Sequence, residues 1–223
     1  AVRALLCGTD GEPFGAAPAD SAFAAGGIDP YADHDLPCSR WQEIAYAGHQ
    51  LWSSSAFATH REWLVETGGW DERFGCAADT EMVLRLLRTD ATFSHRAYVG
   101  LYYRVVPGSV SDVYRREGWL AWEAVVVYLL NLIADPRLLQ RSRRARQRRV
   151  VLWRRWRRRD AEHSWATGVP AEMRSRLENA MRGVEPPPFL DGVTEALFST
   201  MRRWMYSIEP TSRPRVGCAA SRS

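Results

Sequence analysis

Residues 55–111 read SAFATHREWLVETGGWDERFGCAADTEMVLRLLRTDATFSHRAYVGLYYRVVPGSVS, and the rest of the chain is best read outward from this quarter of it. Arg61–Thr67 suits a short helix that Gly68-Gly69 must break. Residues 79–89 form the clearest helix of the first half. Met82, Val83, Leu86 and Leu87 make an apolar stripe at helical spacing, with Glu81, Arg85 and Arg88 off it. Glu81 and Arg85 stand at i, i+4 in the favourable order. Residues 97–106 (AYVGLYYRVV) read as a buried strand ended by Pro107-Gly108. The Gly-Gly turn thus delivers Trp70, Asp71 and Glu72 into a loop, while Asp79 and Glu81 open a helix. Carboxylates gathered by loops beside an aromatic make a polar site for a hydroxylated ligand. Spacing alone favours a plainer reading of Asp79 as a helix cap, because Asp suits an N-terminus and its dipole.

N-terminal to this stretch, residues 1–7 (AVRALLC) read as a short strand closed by Gly8-Thr9-Asp10-Gly11. Residues 8–39, rich in Gly, Ala, Pro and Asp, read as a long surface loop with one helical turn, a length that is often functional. LWSSSAFAT, around 50–58, reads as a small-residue strand or turn. C-terminal to the stretch, residues 114–134 suit a strongly apolar helix stopping before Asp135-Pro136. A second helix is expected over 137–159, an amphipathic one from Pro170 to about Arg182, and a last one over about 191–206. Pro186-Pro187-Pro188 separates those two, and the tail from Glu209 has a disordered composition.

The chain has 223 residues, with 46% hydrophobic and 25% charged, an ordinary globular composition. No apolar run reaches the roughly 20 residues of a membrane-spanning helix, and no secretory signal is evident. The first residue is Ala, not Met, so a processed or truncated piece of a longer protein is expected. All 30 basic residues are Arg, which excludes chemistry requiring a lysine, such as a Schiff base or a P-loop. Residues 1–112 carry 8 Arg against 15 acids, net −7, whereas residues 113–223 carry 22 against 11, net +11. Such asymmetry suggests two modules, one facing an anionic surface. Cys7, Cys38, Cys76 and Cys218 lack CxxC spacing, so a zinc site is not expected and reduced thiols are.

The order of elements in the quoted stretch resembles family 2 glycosyltransferases. The carriers are Gly68-Gly69-Trp70-Asp71-Glu72, then Asp79 with an acid at 81, Leu84-Arg85-Leu86, Tyr103-Arg104 and Ser109-Val110-Ser111. They match the latter part of that family's catalytic domain, a GT-A fold, over roughly 55–112. The resemblance implies an α/β fold: a partial GT-A domain over 1–112, its acceptor-side part, followed by a basic helical region over 113–208 and a disordered tail over 209–223. It implies inverting transfer of a sugar from a nucleotide-diphosphate donor to a hydroxyl of a glycan, lipid or small-molecule acceptor, as in cell-wall or polysaccharide biosynthesis. Asp79 matches the general base, which accepts the proton of the attacking hydroxyl. Trp70, Asp71, Glu72, Glu81 and Arg104 fall at acceptor-side positions. The chain departs from the pattern at Ala78, where the family has Glu, and at Val105-Val106, where a His often follows Tyr-Arg. The donor half, with its DxD carboxylates for a divalent Mg or Mn ion, is not visible. Asp33-His34-Asp35 spells DxD without a preceding apolar strand and reads as loop composition. This chain alone is therefore not expected to turn over.

The five histidines (His34, His49, His60, His95, His163) share no metal-ligand spacing, and only His60 lies near the acceptor-side segment. Ser53-Ser54-Ser55 lacks a nucleophile-elbow context. The run at 143–159 interleaves Arg with Trp153 and Trp156 and admits three readings. It can be a solvated basic face whose tryptophans pack on the helix at 114–134, an interfacial helix on anionic lipid, or, least favoured, a nucleic-acid contact. The expectation is a cytoplasmic transferase, peripheral at the inner membrane face. The competing reading is a non-catalytic protein that uses its Arg/Trp-rich helices on anionic membrane or nucleic acid.

Overall fold

Thr92–Arg104 forms a 13-residue strand, rich in the β-branched and aromatic residues that favour extended backbone, and the sheet assembles around it. The structure, a computed structural model, describes residues 2–7, 12–16, 28–29, 31–47, 56–161, 165 and 169–187. In chain order the strands are β1 (Val2–Cys7), β2 (Pro13–Ala16), β3 (His34–Pro37) and β4 (Thr92–Arg104). Their order across the sheet is β2-β1-β4-β3. The start of β4 pairs antiparallel with β3, His95 opposite His34, and its remainder pairs parallel with β1, Arg104 opposite Cys7. The sheet is therefore mixed. The strand begins five residues before the expected 97 because Thr92–His95 find a partner in β3. Two strands, β2 and β3, lie in the stretch expected to be a loop. Each is four residues long, too short for a periodic signal, and exists by virtue of its neighbour.

Eight α-helices follow among the described residues: α1 (Cys38–Ala47), α2 (Arg61–Glu66), α3 (Ala78–Leu86), α4 (Val110–Arg116), α5 (Trp119–Ile133), α6 (Pro136–Arg141), α7 (Arg143–Arg157) and α8 (Ala171–Ala180). Helix α1 begins inside the expected loop and escaped the sequence reading. It ties the sheet to the helices: Trp41, fully buried, donates its indole N–H to the Phe93 carbonyl of β4 at 2.7 Å. The long helix expected over 114–134 is two helices, because Gly118 takes φ +80° and starts α5 afresh. The helix expected over 137–159 is also two. Ser142 is extended and caps Ala145 N–H, as Asp135 caps Leu138 N–H.

Helix α5 lies at the centre. Trp122, Val125, Val126, Leu129 and Leu132 are buried to within 2%, each burial stabilising by about 2 kcal/mol. They share one core with Trp41 and Ile44 of α1, Met82 and Leu86 of α3, Leu152 and Trp156 of α7 and Leu177 of α8. The change in charge at 112/113 is thus no packing boundary, and Ala1–Pro187 is one compact unit. Charge is a surface property, and the expected division read the surface, not the core. The expected helix over 191–206 and the tail from 209 lie outside the described residues.

Candidate functional site

Two glycines set the approach to Asp79. After α2 the chain reverses through Gly68 (φ +90°) and Gly69 (φ +65°), a left-handed geometry that a Cβ disfavours. Arg85 of α3 fastens this turn by donating to the carbonyls of Thr67 and of Gly69, the latter at 2.6 Å. The same guanidinium holds Glu81 through Nε–Oε1 at 3.0 Å and NH2–Oε2 at 2.6 Å. Their side chains are only 15% and 8% exposed. The pair the sequence offered as a helix-surface contact is a buried clamp, viable because its remaining N–H donors meet the turn carbonyls. Glu81 therefore faces Arg85 and not a ligand, a correction to its expected acceptor-side place.

The turn delivers Trp70 against Asp79. The indole Nε1–H donates to Asp79 Oδ1 at 3.0 Å, while the ring stays 49% exposed and Asp79 half-buried. Among the described residues, the second carboxylate oxygen of Asp79 has no partner. Asp79 is not the helix cap. That position is Ala77, which has no side chain to cap with.

The capping task falls instead to a residue the sequence reading missed. Glu123, wholly buried in α5, accepts from Gly75 N–H and Ala77 N–H, both at 2.7 Å, and from the Cys76 thiol at 3.0 Å. A carboxylate from another helix thus anchors the segment entering α3, at the positive end of its dipole. Burial, then the Glu123 carboxylate beside it, pushes the Cys76 thiol far above its ordinary range. The only signal in the sequence was an acid stranded in an apolar helix, Trp-Glu-Ala-Val.

The other expected residues separate from this centre. Asp71 is bound by Arg73, with Nε–Oδ1 at 2.9 Å and NH2–Oδ2 at 2.6 Å, and this hydrogen bonding holds its carboxyl below the usual range. Glu72 is exposed. Arg104 ends β4, exposed, and no described contact joins it to Asp79. Of the Ser109-Val110-Ser111 turn, Ser109 caps α4 through Asp112 N–H, and Ser111 Oγ lies 3.3 Å from the Tyr103 hydroxyl. His60 packs edge-on against Trp63, centroids 5.5 Å apart.

The described residues do not fit a divalent-metal site. No group of three His, Cys, Asp or Glu converges among them. Asp33 accepts Ala97 N–H at 2.8 Å, and Asp35 is held by Ser94 and by Arg96 at 2.9 Å, so both DxD carboxylates serve the β3–β4 pairing. None of the described helices is long and apolar enough to cross a membrane. Comparison with known protein families, with curated proteins and with solved structures finds no match.

Proposed function

We propose that this chain is the acceptor-side part of an inverting, family 2-like glycosyltransferase of GT-A type, with Asp79 as general base. The Trp70–Asp79 hydrogen bond carries the reading. It fixes the carboxylate rotamer through one oxygen and leaves the other to take a proton. The half-exposed indole beside it supplies an apolar face for the C–H side of a sugar ring. In the step proposed, the acceptor hydroxyl gives its proton to Asp79 as its oxygen bonds to the anomeric carbon. The bond from that carbon to the nucleotide diphosphate breaks on the opposite face, and its electron pair leaves with the diphosphate. Trp70 and Asp79 are assigned to acceptor binding.

Two measurements test this. Ligand-observed NMR on this chain with a panel of oligosaccharides should give transfer to sugar protons that Trp70→Ala abolishes. In the complete reading frame that contains the chain, Asp79→Asn should lower sugar transfer by roughly 10²–10⁴-fold with donor binding unchanged. Unaltered turnover in Asp79→Asn sinks the assignment of the base. The Arg/Trp reading as the main function gains nothing from the packing, since Trp156 is buried against Trp165, centroids 5.5 Å apart.

A further inference from the structure

Strand β4 changes sides along its length. Thr92–His95 pair with β3, whereas Arg96–Arg104 pair with β1 on the opposite side. Among the described residues, the β3-side edge of β4 is therefore open from Tyr98 to Arg104. The β3 chain leaves that edge at Asp33, whose carboxylate accepts the Ala97 N–H at 2.8 Å. Tyr98 and Tyr102 are 64% and 59% exposed, with exposed Gly100 and Arg104 on the same face. None of Ala97–Tyr103 belongs to the core. An open strand edge is a row of unpaired N–H and C=O groups, a template for another strand. The other edges of this sheet are blunted: β2 is four residues long and carries Pro13, and β3 is four residues long and carries Asp35 and Pro37. The run AYVGLYY, 97–103, has neither a charge nor a proline to guard it.

We propose that this run of β4 is a self-association edge, paired antiparallel with the same run of a second copy of this chain about a two-fold axis. Charge selects the partner. The open run has an acid at one end, Asp33 beside Ala97, and a cation at the other, Arg104, which is exposed and in no ion pair among the described residues. A two-fold axis exchanges the ends, so each Arg104 meets the partner's Asp33, twice in one interface. Parallel pairing sets like charge on like. The register follows. An axis normal to the sheet keeps each face on its own side, so facing residues are both even or both odd. The pairing must also begin at Tyr98, because the β3 chain occupies the edge before it. Centring on Leu101 meets both conditions and sets Tyr98 against the partner's Arg104, Val99 against Tyr103 and Gly100 against Tyr102. Centring on Gly100 instead sets Arg104 against Arg96, a repulsive pair. At the Leu101 register each guanidinium lies beside a tyrosine ring and one residue from Asp33. Each Tyr102 covers a glycine, which shields the bare backbone there. The pairing consumes both open runs, so assembly closes at two copies. A seven-residue edge belongs with interfaces below about 1,200 Å², which associate reversibly. This edge does not depend on the transferase reading.

The test is sedimentation equilibrium of the full chain over about 1 to 200 μM, the range in which so small an interface dissociates. The apparent mass should rise from 25.3 kDa toward twice that value and no further. Arg104→Glu sets acid against Asp33 at both ends and should weaken dimerisation roughly tenfold or more. Its melting temperature should match the parent's, since Arg104 is exposed. Adding Asp33→Arg restores opposite charges and should recover most of that loss. Leu101 is its own partner at the axis, so Leu101→Cys, once oxidised, should give a covalent dimer whose linkage maps to position 101 in both copies. A chain that stays at 25.3 kDa at the highest concentration overturns the proposal. So does a dimer that Arg104→Glu leaves unaltered, a mass beyond two copies, or a dimer of Leu101→Cys that forms no such linkage.

Discussion

Glu123→Gln perturbs the anchor of the segment that enters α3 just before Asp79. Glu123 holds two backbone N–H groups at 2.7 Å and a thiol at 3.0 Å with no solvent access. Hydrogen bonds to a buried charge contribute about 1.5–3 kcal/mol each, and a stranded buried donor costs about 1–3 kcal/mol. Glutamine keeps one acceptor oxygen and turns an NH2 toward the other backbone donor, so the expected loss is about 2–3 kcal/mol. Glu123→Ala strands both N–H groups and opens a cavity, and should cost about 4–5 kcal/mol. Unlike the partners of a buried ion pair, these donors belong to the backbone, so no compensating side-chain substitution can remove them. For a unit of this size about 1 kcal/mol shifts the melting temperature by roughly 2–4 °C. Glu123→Gln should therefore melt about 5–10 °C lower by calorimetry, with an unchanged urea m-value. A shift within about 1 °C would refute the reasoning, for it would mean water or another group satisfies those donors as well.

Four further outcomes follow from the same contacts. Cys76, its thiol held up by burial and Glu123, should alkylate slowly at pH 8, where little thiolate exists, and Glu123→Gln should accelerate it; mass-spectrometric mapping of the modified cysteine reads this. Arg85→Met leaves Glu81 buried without its partner and should cost about 3–5 kcal/mol in urea melts, much of it recovered in Arg85→Met with Glu81→Leu, and additive losses would deny the coupling. Trp156→Ala should cost about 3–5 kcal/mol as a core deletion, and a loss below about 1 kcal/mol would place the ring at the surface instead. Asp71, lowered by Arg73, adds stability that is full above its unfolded pKa near 3.9 and lost as pH falls through its lower folded value; Asp71→Asn should flatten only that acid limb of a stability–pH curve.

Local rules carried the sequence reading wherever the deciding forces were local. The α2 helix and its Gly68-Gly69 stop, the stripe of α3 and the apolar α5 were legible because periodicity and a left-handed turn are written in neighbouring residues. The sequence pattern put Trp70 and Asp79 nine residues apart; only the turn clamped by Arg85 brings indole and carboxylate to 3.0 Å. Glu81 was misplaced because spacing cannot tell an exposed i, i+4 pair from a buried one. Gly118 and Ser142 fall inside the spans expected as single helices, yet each takes a non-helical conformation and divides a long helix.

By itself, the sequence determined the charge asymmetry, the helical stripes and the breaks at glycine and proline, since each depends on residues adjacent in the chain. The tertiary structure alone decided that β2 and β3 are strands, that both halves share one core and that Glu123 of α5 anchors α3, 46 residues upstream. Those outcomes are contacts between distant segments, fixed by which surfaces leave water together, and no local pattern records them.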